Sequence, residues 1–521
     1  MRGGPRGRPS HRVLFRGQTG RAIRPDRGNT ESHRIMAVRR SLLLSLAQRY
    51  LTLALSLGST IVLARLLTPG EMGMFFIAAA LILAANTIAN FGVHQHIVQE
   101  RRLTPGRYRA ATGVIVLSSL AAFALVQVLA APLAGFFREP GLAAVLAVYG
   151  LVLLTVPLNT PAIARMQRDM RFGAVLVIGV AGTVVQVATA IWLATRGHGA
   201  MSLAWAAVVE QGMVTLVCAL LRDRESWARP AIRGWRRVVG PGLSLSAAHL
   251  MQEMGNLAPQ LAIGRMQGMD AAGLFNRGLT AVTLFQRCFV DAVKPVVLPA
   301  FARAHRDGVD TAGPLVRATA LVAAIAWPFF AVTALLAPQV VMLLFGGQWG
   351  AAVPVVRILA LVGMVMPFCV IQGEVLVALG RAGRVFRIQT VSQALRVAVT
   401  VVLAAIGIEA VALGLAAVAL VQAALILGAL RAATGVRLRV LAGATLSSVA
   451  ITAAAAAGPL AVALLDAESR LGALPDLALG GGLSAIGWVW ALVATRHPLA
   501  GELRDLLAGA RRPYPLRASR Q

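Results

Sequence analysis

The chain reads as a succession of long apolar runs, cut at intervals by short clusters of Arg, Gly and Pro. A hydrocarbon core about 30 Å thick is crossed by a helix of roughly 20 apolar residues, so each run is long enough to span a bilayer. Cutting at the polar punctuation predicts fourteen spans: Leu43 to Leu67, Met72 to Ile97, Ala110 to Phe137, Leu142 to Ala164, Phe172 to Thr195, Ala200 to Leu221, Val238 to Gly264, Ala271 to Ala302, Ala312 to Phe345, Ala351 to Leu379, Val385 to Ile406, Glu409 to Leu430, Val440 to Leu465 and Pro475 to Thr495. The expected fold is an all-α polytopic membrane protein. Residues 1–40 form a basic tail, 41–221 a first lobe of six spans, 222–237 a cytoplasmic linker, 238–430 a second lobe of six, 431–495 two added spans, and 496–521 a basic cytoplasmic tail.

The basic residues test this division, because Arg and Lys concentrate in cytoplasmic loops. Of the 50, 39 fall in the two tails and in alternate loops, and only Arg65, Arg138, Arg196, Arg265 and Arg470 fall in the intervening loops. The alternation holds for an even number of spans with both termini cytoplasmic, as in a bacterial inner (plasma) membrane protein.

Composition agrees: 57% of the 521 residues are hydrophobic and 14% charged, with mean hydropathy +0.72. Soluble chains carry about a quarter charged residues. The net charge of +29 would suggest nucleic-acid binding in a soluble protein, but here most of it orients the chain, and no nucleic-acid partner is expected. Forty-nine of the 50 basic residues are arginine and one, Lys294, is lysine.

Cys218, Cys288 and Cys369 are dispersed in apolar runs, which gives no disulfide framework or metal site. HExxH, P-loop, GxSxG and Rossmann signatures are also missing. Residues 1–35 lack the apolar stretch of a signal peptide and have the Gly, Pro and Arg content of disorder. Met36 is expected to be the true start; the alternative is a basic tail resting on anionic lipid.

One segment recurs. Ile61 to Phe75, with Arg65 and Gly73, matches Leu261 to Phe275, with Arg265 and Gly273, at an ungapped offset of 200 residues. Six spans separate the copies, an even number, so the halves should point the same way, as a parallel repeat with a substrate site between them.

Polar stripes mark a wet interior between these halves. Span one carries Gln48, Arg49 and Thr52, and span two Asn86, Asn90 and His94. Span seven carries His249, Gln252, Glu253 and Asn256. Span eight carries Arg277, Arg287, Asp291 and Lys294, which a regular helix would hold within an arc of about 100°. Arg357 and Arg396 add to the set in spans ten and eleven.

Charged side chains at mid-bilayer cost about 2.5–3.5 kcal/mol on insertion scales and so face protein or a watery cavity. Blander readings stand beside this one. Arg49 and Arg357 are close enough to a surface to snorkel, Arg287 could pair with Asp291 at i, i+4, and Glu253 could pair with His249. Even so, Lys294 leaves span eight net positive. A basic lumen points to an amphiphilic anion as cargo, with Arg287, Lys294, Arg277, Arg49, Arg396 and Arg357 as anion-binding candidates. Glu253, Asp291, Asn256, Gln252, His249, Asn90, Asn86 and Gln48 are the polar lining and coupling candidates.

Several segments resemble the polysaccharide transporter family of bacterial flippases. They are Ala64 to Gly73 (ARLLTPGEMG), Arg165 to Phe172 (RMQRDMRF), Ile263 to Arg277, Leu298-Pro299-Ala300, Leu344 to Trp349 (LFGGQW) and Pro354 to Leu359 (PVVRIL). Within the multidrug/oligosaccharidyl-lipid/polysaccharide superfamily, the likeness is to Wzx-type lipopolysaccharide and exopolysaccharide exporters of the colanic acid kind.

The resemblance implies two six-helix lobes that alternate access and move an undecaprenyl-pyrophosphate-linked oligosaccharide between leaflets. Proton or sodium coupling, contact with the polymerase and export machinery, and no metal or organic cofactor go with it. Members often have an acidic residue four positions before the Gly-Arg pair of span seven; here that place is Gln260, with Pro259 before it and Glu253 two turns earlier. No covalent step is needed, so no catalytic residue is expected. A lipid II flippase, a multidrug or cation antiporter of the same superfamily, and a non-transporting scaffold of glycan synthesis remain the alternatives.

Overall fold

The computed structural model describes residues 48, 50–90, 93–100, 103–222, 230–231, 235–308, 311–469 and 472–507. Among these the regular secondary structure is helical. A first lobe comprises α1 (Tyr50–Leu66), α2 (Pro69–Asn90), α3 (Val93–Gln99), α4 (Pro105–Phe137), α5 (Gly141–Gly150), α6 (Val152–Arg168), α7 (Phe172–Thr195) and α8 (Ala200–Leu221). A second comprises α9 (Trp235–Gln267), α10 (Met269–Phe285), α11 (Asp291–Arg306), α12 (Ala312–Leu335), α13 (Ala337–Phe345), α14 (Val353–Ala378), α15 (Ala382–Leu403) and α16 (Ile408–Thr434). Then come α17 (Leu438–Ser469), α18 (Ala473–Ala494) and a short α19 (Pro498–Leu507).

Eleven helices in the described residues are long and apolar enough to cross a membrane by length and composition, and Tyr50–Leu66 is a shorter apolar one. Helix α9 and the α10–α11 rod do not stand among the eleven: they carry the polar stripes read from the sequence. With them the count agrees with about fourteen spans, and the chain is a multi-pass membrane protein.

Local chemistry sets the helix ends. At α2, Thr68 and Glu71 form a capping box, with the Thr68 N–H donating to Glu71 Oε2 (2.8 Å) and the Glu71 N–H to Thr68 Oγ1 (3.3 Å). Pro69 sits at the first helical position, where a missing N–H costs nothing. At α4, Thr104 Oγ1 accepts from the Arg107 N–H, and Arg138 ends the helix in the left-handed region at φ 57°.

Three departures from the expected spans stand out. Span two stops at Asn90, and α3 follows as a separate short helix. Between α10 and α11 lies one π-helical segment, Gln286–Val290, whose i→i+5 bonding shifts the register of everything after it. Part of the expected C-terminal tail is helix α19, anchored through Leu499 and Leu503 in a cluster with Ala324, Ile451, Ala491 and Leu492.

Helix α17 packs on both α12 and α18, so the two added spans lean on the second lobe. The lobes themselves meet chiefly through α2 against α9 and α10. One core cluster runs across that junction, joining Ile77, Ala78 and Ile82 to Ile263, Ala272 and Phe275.

A candidate translocation pathway behind an interlobe gate

The two glycines of the 200-residue repeat face each other where α2 crosses α10. A Cβ built on Gly73 would lie 2.8 Å from the Met269 carbonyl carbon and 2.9 Å from the Gly273 nitrogen, while one on Gly273 would lie 2.9 Å from the Pro69 carbonyl carbon. Only hydrogen fits, so the backbones touch at positions related by the repeat. A pseudo-two-fold axis therefore passes between Gly73 and Gly273, at the arginine-poor ends of the spans.

The repeat arginines brace this junction from opposite sides. Arg65, at the end of α1, donates from Nη2 to the Leu343 carbonyl of α13 (2.6 Å). Arg265, at the end of α9, lies over the Phe136 ring at the end of α4, 5.0 Å from its centroid. Each reaches from its own lobe into the other.

The last turn of α1 leaves carbonyls with no partner of their own, and the second lobe supplies donors. Trp349 Nε1 donates to Ala64 O (2.8 Å), and Gln348 Nε2 to Ala64 O (2.6 Å) and Leu67 O (3.1 Å). Both come from the 3-10 turn Gly347–Ala352. Leu63, Leu67 and Met72 close over the same place with Val341, Phe345 and Trp349.

Arg277 completes the gate. It is only 5% exposed, with Nη2 2.8 Å from Met72 Sδ and its guanidinium 5.2–5.5 Å from the ring centroids of Phe76, Phe345 and Trp349. A desolvated cation among three rings gains cation–π attraction, yet its buried Nε has no hydrogen-bond partner among the described residues.

Arg277 and Arg287 therefore do not share one open face. Arg277 is enclosed in the gate, while Arg287 is exposed in the π-helical segment. The arc expected from a regular helix fails because the π turn rotates α11 relative to α10. The side chains of Lys294, Asp291 and His249, and the whole of Arg49, lie outside the described residues.

The remaining candidates divide between the lobes. In the first, Asn90 Nδ2 donates to Asn86 Oδ1 (2.7 Å), Thr160 Oγ1 donates to Asn90 Oδ1 (3.5 Å), and His94 Nε2 lies 3.1 Å from Gln167 Oε1. Gln48 packs on α7, its Nε2 2.6 Å from where a Cβ on Gly179 would stand. In the second lobe, Arg396 Nη1 donates to Asn256 Oδ1 (3.4 Å), which joins α15 to α9. Gln252 and Asn256 are exposed and Glu253 is half-buried. Arg357 is exposed and donates from Nε to the Ala334 carbonyl (3.3 Å), as a surface arginine capping a helix end does.

The polysaccharide biosynthesis protein family matches residues 62–354, more than half of the chain. The chain belongs to this family. Its matched region holds the whole gate, from Ala64 through Arg277 to Trp349, whereas Arg357 and Arg396 lie beyond it.

Among relatives, the teichuronic acid biosynthesis protein TuaB of Bacillus subtilis (strain 168) is 22% identical over 312 residues, which are 58% of this chain and 63% of that protein. The lipopolysaccharide biosynthesis protein WzxC of Escherichia coli (strain K12) is 22% identical over 343 residues, 64% of this chain and 68% of that one. The match to TuaB thus spans less than two thirds of that protein's length. The likeness to Wzx-type proteins read from the sequence therefore stands.

In fold the family member described here is similar to the lipid II flippase MurJ in an inward closed conformation, with TM-score 0.69, 11% identity, and coverage of 88% of this chain and 98% of that one. It is also similar to an inward-facing multidrug resistance MATE family transporter of the MOP superfamily, with TM-score 0.59, 16% identity, and coverage of 77% and 98%.

Sequence reading missed part of the polar interior and all of the gate's partners. Asn159 is 5% exposed and donates to Gln211 Oε1 (3.2 Å). It sits between Pro157 and Pro161 on α6, without the periodic stripe that flags a polar face. The aromatic rings around Arg277 were invisible because Phe76 and Trp349 look like ordinary core residues until the lobes are brought together.

Proposed function

We propose that this chain is a flippase that carries an undecaprenyl-pyrophosphate-linked oligosaccharide across the inner membrane by alternating access, for lipopolysaccharide or exopolysaccharide assembly. The observation that carries the reading is the gate: two lobes related by a repeat touch through bare backbone at Gly73 and Gly273. A glycine contact is tight enough to seal and small enough to part, and it lies at one end of spans that bear exposed polar groups at Gln252, Asn256 and Arg287.

Membership of a polysaccharide biosynthesis family supports the glycan class of cargo. Moving a pyrophosphate and several sugars through hydrocarbon would strip many polar groups of water at several kcal/mol each, and a wet basic lumen avoids that. Arg287, Lys294 and Arg396 would meet the anionic part of the cargo, Asn86, Asn90 and Asn256 the sugars, and Glu253 would take the coupling proton or sodium ion. The chain's role is transport without covalent chemistry.

The test is deletion of the gene followed by identification of the lipid-linked oligosaccharide that accumulates inside the cell. Complementation with Arg287→Ala plus Lys294→Ala should then fail to restore export at normal expression and insertion. Accumulation of lipid II instead, or full export by the double variant, refutes the reading.

A further inference from the structure

On the arginine-rich side, away from the gate, a cavity of about 630 Å3 lies where the ends of α12, α17 and α18 meet the start of α19. Arg317, Arg496 and His497 line it, with Ala320, Ala444 and Pro498 as apolar wall. It sits just outside the apolar spans Ala312–Leu335 and Ala473–Ala494, at the depth where the phosphates of a bilayer leaflet lie.

The histidine defines what the cavity accepts. His497 is 2% exposed, and its Nδ1 accepts a hydrogen bond from the Leu499 N–H (3.2 Å). A nitrogen that accepts is unprotonated, so in the neutral ring the proton sits on Nε2. That buried Nε2–H has no acceptor among the described residues. Buried donors are nearly always satisfied, so this one is aimed at a group the protein does not supply, and the group must be an acceptor.

The charges around it select an anion. Arg317 Nη2 pairs with Glu502 Oε1 at 2.6 Å, both partly exposed, and Arg496 is exposed in the turn, held at φ 48° where a non-glycine residue is uncommon. With the Glu502 carboxylate counted, the set remains net positive by one. There is room as well, since a Cβ on Gly313 or Gly501, both lining the cavity, would meet nothing within 4 Å.

We propose that this cavity binds a phosphate group, with His497 Nε2–H as the directed donor and Arg496 and Arg317 as the positive partners. The apolar wall fits a phosphate carried on a lipid; a free phosphate offers the same acceptor atoms without the chain.

Native mass spectrometry of the full-length protein tests the site, with phosphatidylglycerol and phosphatidylcholine as lipid probes and inorganic phosphate as the soluble one. The expected result is retention of phosphatidylglycerol over phosphatidylcholine. Arg496→Gln should weaken it about tenfold, the change expected for one charge-assisted hydrogen bond. Gly313→Leu should weaken it by filling the space while leaving every charge in place.

Both substitutions are at positions with open space or exposure, so the melting temperature should be unchanged and a folding defect can be told apart. Binding of inorganic phosphate, lost in the same variants and without preference among the lipids, assigns the site to a soluble phosphate. Equal retention of both lipids with no phosphate binding, or undiminished binding in both variants, overturns the proposal.

Discussion

Gly73→Ala and Gly273→Ala should each open the gate. The added methyl carbon would lie 2.8–2.9 Å from a carbonyl carbon of the opposite lobe, against an ordinary carbon–carbon contact of about 3.5–4.0 Å. Helices α2 and α10 must therefore part by about 1 Å, and because the obstacle is backbone, no side chain can swing aside to absorb it.

Overpacking of this kind costs about 1–3 kcal/mol. The cost falls only on the state in which the lobes touch, so the ratio of gate-closed to gate-open protein should fall by about 5- to 150-fold.

Spin labels on Arg138→Cys and Met342→Cys, exposed positions on α4 and α13 in opposite lobes, report the opening in a background lacking Cys218, Cys288 and Cys369. Pulsed electron–electron distance measurements should show a longer population appear in either alanine variant and dominate in the double variant. Distance distributions identical to those of the unsubstituted glycines would refute the argument that this contact sets the gate.

Arg277→Met replaces a buried cation by an apolar side chain, a change that is neutral or stabilising by about 1–4 kcal/mol when packing is kept. The melting temperature should hold or rise while glycan export falls, because the gate loses the polar group that favours its reopening; a lower melting temperature would contradict this. Thr68→Ala removes one half of the α2 capping box and should cost about 0.5–2 kcal/mol, with Thr68→Ser restoring it, as read by thermal unfolding. Burial holds the His497 imidazole below its ordinary value of 6.5. The fold therefore favours the neutral ring, stability is full above that value, and it is lost as pH falls below it. His497→Gln should flatten that part of the profile in a melting series between pH 8 and 5.

Much was legible in the amino-acid order alone. Helix count, approximate ends and the sidedness of the loops follow from the length of apolar runs and the placement of arginines, because the bilayer imposes a length and a charge rule on each span separately. The repeat was legible too, since Arg65 and Gly73 recur as Arg265 and Gly273 at a fixed offset.

What the repeat does was decided in three dimensions: only when α2 meets α10 do two glycines become a contact and two arginines reciprocal braces. Arg277 shows the limit most plainly. A regular 100° step per residue places it with Arg287 on one polar face, but a single π-helical segment, Gln286–Val290, breaks that register, and three rings from two lobes enclose the guanidinium. Local periodicity determines which residues are polar within a span. Which of them face open space, and which are shut between lobes, depends on contacts about 70–200 residues apart along the chain, and those belong to the tertiary structure.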